Sequence, residues 1–260
     1  MYIAGTPSLL SVVIVFLGGY LMAGGANAVN MYLDRDIDTE MSRTRLRPIP
    51  GGRMAPVAVL AFGIAIATAA TFLLGYFINP LTALLALGGF YCYVFVYTRW
   101  LKRMTPQNIV IGGAAGAFPP LVGYAAVTGR LDLTAWILFL IIFYWTPPHF
   151  WALALLKQRD YGAAGVPMAP LIWGEKHTSD QMLWYTAILT AISLLPVATG
   201  TFGMIYFVST VVITVPLIYG VIKTRFSEDR TKPAYFVFKY SLLYLALLFV
   251  AMVADLHLPL

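Results

Sequence analysis

Two asparagines and three aspartates, Asn27, Asn30, Asp34, Asp36 and Asp38, close a run of apolar residues long enough to cross a bilayer. In the bilayer centre each charge would cost roughly 2.5–3.5 kcal/mol, so acids at such an edge imply something that binds them. If the stretch is helical, each residue advances by about 100°, and with Asn27 at 0° Asn30 falls at about −60°, Asp34 at about −20° and Asp38 at about +20°. Asp36 falls at about 180°, on the far side. Asn30, Asp34 and Asp38 are therefore expected to form one site, with Asn27 a turn behind and Asp36 a bystander. Carboxylates four apart on one face suit a hard, oxygen-ligated ion such as Mg²⁺. That ion usually binds through one or two carboxylates plus phosphate oxygens of a substrate. A solvated helix end pairing with Arg35, Arg43 and Arg45 would explain the acids but not the asparagines on the same stripe.

Two further stretches carry chemistry. In Tyr97-Thr98-Arg99-Trp100-Leu101-Lys102-Arg103 the cations stand at i, i+3 and i+4, so a helix would present them on one face. Such a face suits a diphosphate, with Arg offering bidentate contact. On spacing alone it is equally an ordinary basic flank of a membrane span. The other stretch is Pro147-Pro148-His149-Phe150-Trp151, followed by Lys157, Arg159, Asp160 and Tyr161. Consecutive prolines are expected to interrupt a membrane helix, which is tolerated where the freed backbone is buried or lines a cavity. If the helix resumes, Asp160 lies about 20° from His149, so both would line one cavity. His149 alone reads equally as a packed or hydrogen-bonded residue, and His177 and His257 as structural.

These residues need elements to hold them. Of 260 residues 60% are hydrophobic and only 11% charged, with mean hydropathy +0.79. A soluble domain carries about 25% charged residues. The pattern predicts an all-α, polytopic transmembrane helix bundle, one domain over 1–260. Eight spans are expected, at 8–30, 55–77, 80–98, 107–127, 133–156, 182–200, 203–222 and 235–255. Asn79-Pro80 and Gly200 to Gly203 read as tight turns. Pro119-Pro120 and Pro196 are expected to kink or shorten their spans.

The formal charge of +6 does not point to nucleic acid, because its distribution points to membrane orientation. Arg35, Arg43, Arg45, Arg47 and Arg53 follow the first span, and Arg99, Lys102 and Arg103 follow the third. Lys157, Arg159 and Lys176 follow the fifth; Lys223, Arg225, Arg230 and Lys232 follow the seventh. The alternate loops hold only Arg130, and Lys239 lies inside the last span. By the positive-inside rule the four basic loops, and the acidic stretch with them, face the cytoplasm. No cleavable signal is evident, because no basic region precedes the first apolar run. Cys92, the single cysteine, supports neither a disulfide framework nor a metal cluster.

Taken together these strings resemble the UbiA superfamily of intramembrane prenyltransferases over nearly the whole chain. The resemblance rests on Asn30-x-x-x-Asp34-x-x-x-Asp38 and on Tyr97-Thr98-x-x-Leu101-Lys102-Arg103. The strings Trp145-Thr-Pro-Pro-His149-Phe-Trp-Ala-Leu-Ala154 and Asp160-Tyr161-x-x-Ala164-Gly165-Val166-Pro167-Met168 are similar to those of its haem-farnesylating members. The family bundle has nine helices. The chain starts at what resembles the second, so a preceding helix is expected to be missing here. The family's second motif is usually aspartate-rich, whereas only Asp160 stands here, with His149 upstream.

The resemblance implies farnesyl transfer from farnesyl diphosphate to a vinyl group of haem b, giving haem O, in the bacterial inner membrane. It implies Mg²⁺ held by Asn30, Asp34, Asp38 and Asp160, with Lys102 and Arg103 neutralising the diphosphate. It implies a substrate-binding set of Asn27, Arg43, Arg45, Arg47, Tyr97, Arg99, His149, Lys157 and Tyr161. Arg53 joins the arginines that would clasp haem propionates or close a lid. A downstream haem-modifying enzyme or oxidase assembly would take the product. Two other functions compete: a UbiA enzyme with an aromatic acceptor such as 4-hydroxybenzoate or a quinone precursor, and a non-catalytic transporter or haem-handling protein.

Overall fold

The computed structural model describes residues 1–258. Among them all regular structure is helical. Eight stretches are long and apolar enough to cross a membrane: α1 (Leu9–Leu33), α3 (Pro56–Phe77), Pro80–Arg103, α5 (Asn108–Thr128), α6 (Leu133–Leu156), α9 (Gly174–Ala198), α10 (Met204–Phe226) and α11 (Thr231–His257). Pro80–Arg103 is composite. It opens as α4 (Pro80–Tyr91), loosens into a π-helical run over Cys92–Trp100 and tightens into a 3₁₀ turn at Leu101–Arg103. Short helices α2 (Ile37–Glu40), α7 (Gln158–Ala163) and α8 (Ala169–Ile172) complete the set. Phe16, Phe72 and Tyr76 are among many large apolar side chains left exposed on the spans. Lipid tails as solvent make that exposure inexpensive.

The chain forms two compact units. Residues 3–131 and 159–167 make the first; 132–158 and 168–258 make the second. In the first, α1 packs along α3, and α4 against α5. The α1–α3 contact depends on missing side chains. A Cβ on Gly25 would sit 2.7 Å from the Gly63 carbonyl, and one on Gly63 2.9 Å from Ala28 Cβ. Close approach through small residues is how membrane helices gain packing energy where apolar burial gives none. In the second unit α6 packs on α9 and α11, and α10 on α9 and α11. Asp255 of α11 accepts from the amides of Gly203 (2.6 Å) and Tyr206 (3.0 Å), capping the start of α10.

The start signals act as their residue types dictate. Asn79 accepts from the Thr82 amide at 2.8 Å and Pro80 fills the first turn, so the tight turn expected at Asn79-Pro80 opens α4. Gly200 takes φ +69 just past α9, which only glycine adopts without strain.

Three expectations need correction. The prolines do not shorten their helices: α5 runs through Pro119-Pro120, α6 through Pro147-Pro148, and α9 through Pro196 to Ala198. The sixth span begins at Gly174, not 182, although its first turns carry Glu175, Lys176, His177 and Asp180. Two of those acids are paired within the second unit. Glu175 accepts from Gln158 (2.6 Å) and pairs with Arg230 (3.4 Å), and Asp180 pairs with Arg225. Finally, α1 ends at Leu33, so the acidic stretch is not one helix.

Candidate functional site

The acidic stretch keeps its register despite that break. The Asp34 amide bonds the Asn30 carbonyl and the Asp38 amide bonds the Asp34 carbonyl, both at 2.8 Å. Helical i→i+4 bonding thus survives across the turn between α1 and α2. Asn30 (4% exposed), Asp34 (0%) and Asp38 (1%) are all buried.

Each buried acid has a cation. Lys102 Nζ donates to Asp34 Oδ2 at 2.5 Å. Arg47 Nη1 donates to Asp38 Oδ2 at 2.8 Å. Asn30 Nδ2 donates to Asp34 Oδ2 (2.8 Å) and to Thr98 Oγ1 (3.0 Å), and the Thr98 hydroxyl donates to the Tyr93 carbonyl (2.8 Å). That last bond spans five residues, the reach of a π-turn, while the bond from Asn30 ties the loosened run to α1. Asp34 Oδ1 is the exception: it is buried and makes no hydrogen bond, with Arg103 Nη2 no nearer than 3.7 Å. A buried charged oxygen without a partner is costly.

Hard carboxylate donors with one open oxygen suit an ion such as Mg²⁺, which completes its shell with water and substrate phosphate. Among the described residues no three His, Cys, Asp or Glu converge into a protein-only cage. An ion held here would draw its remaining ligands from water and phosphate.

The cationic motif does not form a single helical face. The run changes from π-helical to 3₁₀ between Trp100 and Leu101, and only Arg99 and Arg103 of the three cations line one cavity. Lys102 turns to Asp34. Arg103 forms a two-pronged pair with Asp36, Nη1 to Oδ2 at 2.6 Å and Nη2 to Oδ1 at 2.7 Å, and reaches the Leu33 carbonyl at 3.3 Å. Arg99 is exposed and lines a cavity of about 410 Å³ with Arg35, Asp36 and Arg103. Asp36 is therefore no bystander. Its hydrogen bond to Arg103 holds its carboxyl down at about 2, despite some desolvation.

Asp160 accepts from Ser42 Oγ at 3.0 Å, which brings the loop after α2 to α7. Burial pushes the Tyr161 hydroxyl up; nearby Arg43 opposes that shift and Asp160 adds to it. Arg43 also acts electrostatically on Tyr97, whose ring packs over Gly112 so closely that a Cβ there would lie 2.3 Å from it. Arg45 is exposed. Arg53 donates to the Leu46 carbonyl at 2.8 Å.

Beside these groups lies an apolar cavity of about 390 Å³, also within the first unit. Met22, Phe90, Phe118 and Val122 give it greasy walls; Asn27 and Tyr93 are its polar members. Tyr93 Oη reaches Asn27 Oδ1 at 3.4 Å.

The projection linking His149 to Asp160 fails, because α6 runs through its prolines but ends at Leu156, with Lys157 leaving helical geometry. His149 and exposed Lys157 belong to the second unit, Asp160 and Tyr161 to the first. The sequence reading missed Thr98, Ser42 and the role of Asp36. Thr98 lay inside a quoted motif, but its partners are distant in sequence and no local pattern reports them.

The model of the UbiA prenyltransferase family matches residues 1–243. A protoheme IX farnesyltransferase of Roseiflexus sp. (strain RS-1) is 52% identical over 98% of this chain and 48% of its own length. One of Symbiobacterium thermophilum is 50% identical over 96% of this chain and 84% of its own. The chain thus spans about half the length of the Roseiflexus relative. Among solved structures, a digeranylgeranylglyceryl phosphate synthase superposes with TM-score 0.79 at 18% identity, covering 97% of this chain and 88% of that one. A UbiA homologue of Archaeoglobus fulgidus bound to GPP and Mg²⁺ gives 0.65 at 16%, covering 94% and 88%. At those identities the likeness concerns the fold.

Proposed function

The chain belongs to the UbiA prenyltransferase family, and from that premise we propose that it transfers farnesyl from farnesyl diphosphate to a vinyl group of haem b, giving haem O. It is an integral membrane protein with eight apolar helices. The observation that carries the reading is one juxtaposition in the first unit. Buried, cation-paired Asp34 and Asp38 follow Asn27, which lines the apolar cavity of about 390 Å³, a size within the usual range of about 300–1,000 Å³ for ligand sites. A charged head and a long apolar tail need those two environments side by side. The acceptor and donor follow from the relatives' names and from the Trp145–Ala154 and Asp160–Met168 strings.

Asp34 through its open Oδ1, with Asp38 and Asn30, would hold Mg²⁺; Asp160, which accepts from Ser42, joins that set on the resemblance alone. An ion held by them would supply positive charge to the diphosphate as the leaving group. Lys102, Arg103 and Arg47 stabilise the charge of that group by fixed donors, each worth about 3–4 kcal/mol in a preorganised site. The apolar walls around the tail keep water from capturing the allylic cation early. The vinyl carbon then forms the new C–C bond, and water adds at the neighbouring cation and releases a proton. Tyr97, Tyr161, Arg43, Arg45 and Arg99 belong to the substrate-binding set in the first unit, and the resemblance adds His149 and Lys157. The distribution of basic loops favours a cytoplasmic-facing site in the inner membrane, in one catalytic domain over 1–260. A later haem-modifying enzyme would consume the product.

Membranes carrying the chain, incubated with farnesyl diphosphate, haem b and Mg²⁺, are expected to yield a haem heavier by a farnesyl and a hydroxyl group. Prenylation of 4-hydroxybenzoate or a quinone precursor, with haem unchanged, would overturn the assignment. Haem movement without a new product would favour a transporter.

A further inference from the structure

His149 lies in the second unit in a setting that fixes which of its nitrogens carries the proton. Its ring stacks on Trp145 (centroids 4.4 Å apart, planes 17° apart) and on Phe238 (4.9 Å, 23°), with Phe150 edge-on at 5.0 Å. Only 5% of the residue is exposed. Nδ1 lies 2.8 Å from Ser241 Oγ. Ser241 has one hydroxyl proton, and it goes to the Phe238 carbonyl at 3.0 Å, because a carbonyl can only accept. Toward the imidazole Ser241 is therefore an acceptor, and Nδ1 must be the donor. Ser241 is itself held firmly: Trp145 Nε1 donates to its backbone oxygen at 2.8 Å.

We propose that Ser241 is a positioning residue that locks His149 as the Nδ1–H tautomer, so that Nε2 presents a free lone pair as ligand to the iron of the acceptor haem. With both faces stacked and Nδ1 engaged, Nε2 is the one polar atom of the ring left for a ligand. A histidine whose other ring N–H is anchored to an oxygen acceptor is the usual arrangement of a metal-binding imidazole. The anchor raises the basicity of the free nitrogen and fixes the plane in which it meets iron. The ligand role rests on the haem reading above; the tautomer does not.

The chain has three histidines, so ¹⁵N-histidine NMR in nanodiscs is tractable with His177→Gln and His257→Gln to assign signals. Wild type is expected to give His149 as Nδ1–H with an unprotonated Nε2. Ser241→Ala keeps the backbone contact to Trp145 and is expected to give mixed tautomers. Finding Nε2–H in wild type overturns the proposal without any variant. The probe for ligation is ferric protohaem followed by its Soret band. Ser241→Ala is expected to weaken binding by roughly 10–100-fold, as losing an anchoring partner does at metal-bound histidines, and His149→Ala to remove the axial-imidazole spectrum. Equal affinity and spectrum in all three proteins overturns the ligand role. If wild type shows Nδ1–H and binds no protohaem, the tautomer stands while the haem reading, and the iron ligand with it, falls.

Discussion

Asp34 is the residue on which the first unit's polar groups converge, and its two oxygens have unequal lives. Oδ2 is shared by Lys102 and Asn30, whereas Oδ1 makes no hydrogen bond. Asp34→Asn keeps the shape and removes the charge. Haem farnesylation should fall by about 10²–10³-fold, the scale of losing one preorganised electrostatic group. Full turnover in Asp34→Asn, by haem mass analysis, would remove Asp34 from the site. Asp36 acts through Arg103. Its depressed carboxyl means that the Asp36–Arg103 pair is fully formed above 3.8 and is lost as pH falls through about 2. Asp36→Asn should therefore lower turnover evenly across neutral pH, by no more than about five-fold, since exposed pairs are worth about 0–1 kcal/mol. A loss equal to that of Asp34→Asn would show that Asp36 holds more than a guanidinium. The common face of Asn30, Asp34 and Asp38 was legible in the sequence, because four-residue spacing reports a bonding pattern that the chain retains. The Asp36–Arg103 pair was not: nothing local links residues 67 apart.

At the scale of elements, spans were legible wherever hydropathy decides them. α3 and α6 lie within a residue of their expected bounds because no charged residue interrupts either. α9 was cut short on paper because its first turns are charged, and the pairing of Glu175 and Asp180 is a property of the folded unit alone. The π-helical run was invisible for a related reason. Its residues have ordinary helix-compatible types, and the Thr98 hydroxyl, bonded to Tyr93 five residues back and to Asn30 across the unit, supports the wider turn. Thr98→Val keeps the volume and deletes both bonds, leaving one Asn30 hydrogen unpaired in a buried place. Destabilisation of about 1–3 kcal/mol is expected from thermal unfolding in detergent, with a raised KM for farnesyl diphosphate as Lys102 shifts. An unchanged melting temperature and KM would mean that the π-run persists without the hydroxyl.

For the molecule as a whole, composition and charge asymmetry carried most of the information. An all-helical membrane protein with eight spans follows from chain chemistry alone, and the structure has those eight. What sequence could not convey is membership. Residues 159–167 return to the first unit after α6 has contributed to the second, so His149 and Asp160, near neighbours along the chain, belong to different units. Orientation is testable on a Cys92→Ser background, since Cys92 is the only cysteine. In intact cells an impermeant maleimide should label Arg130→Cys and spare Arg53→Cys; after lysis both should react. The reverse order would invert the topology drawn from the basic loops.

The cap that Asp255 places on α10 bears on how the protein is made. The amides of Gly203 and Tyr206 wait for an acceptor encoded 52 and 49 residues later. His149 waits still longer, for a serine 92 residues on. During synthesis α10 enters the bilayer with its first turn unsatisfied, and the imidazole has no fixed proton, until α11 follows. A ribosome stalled within α11 would therefore leave a second unit of inserted but unlocked helices, open to membrane proteases that the finished unit resists.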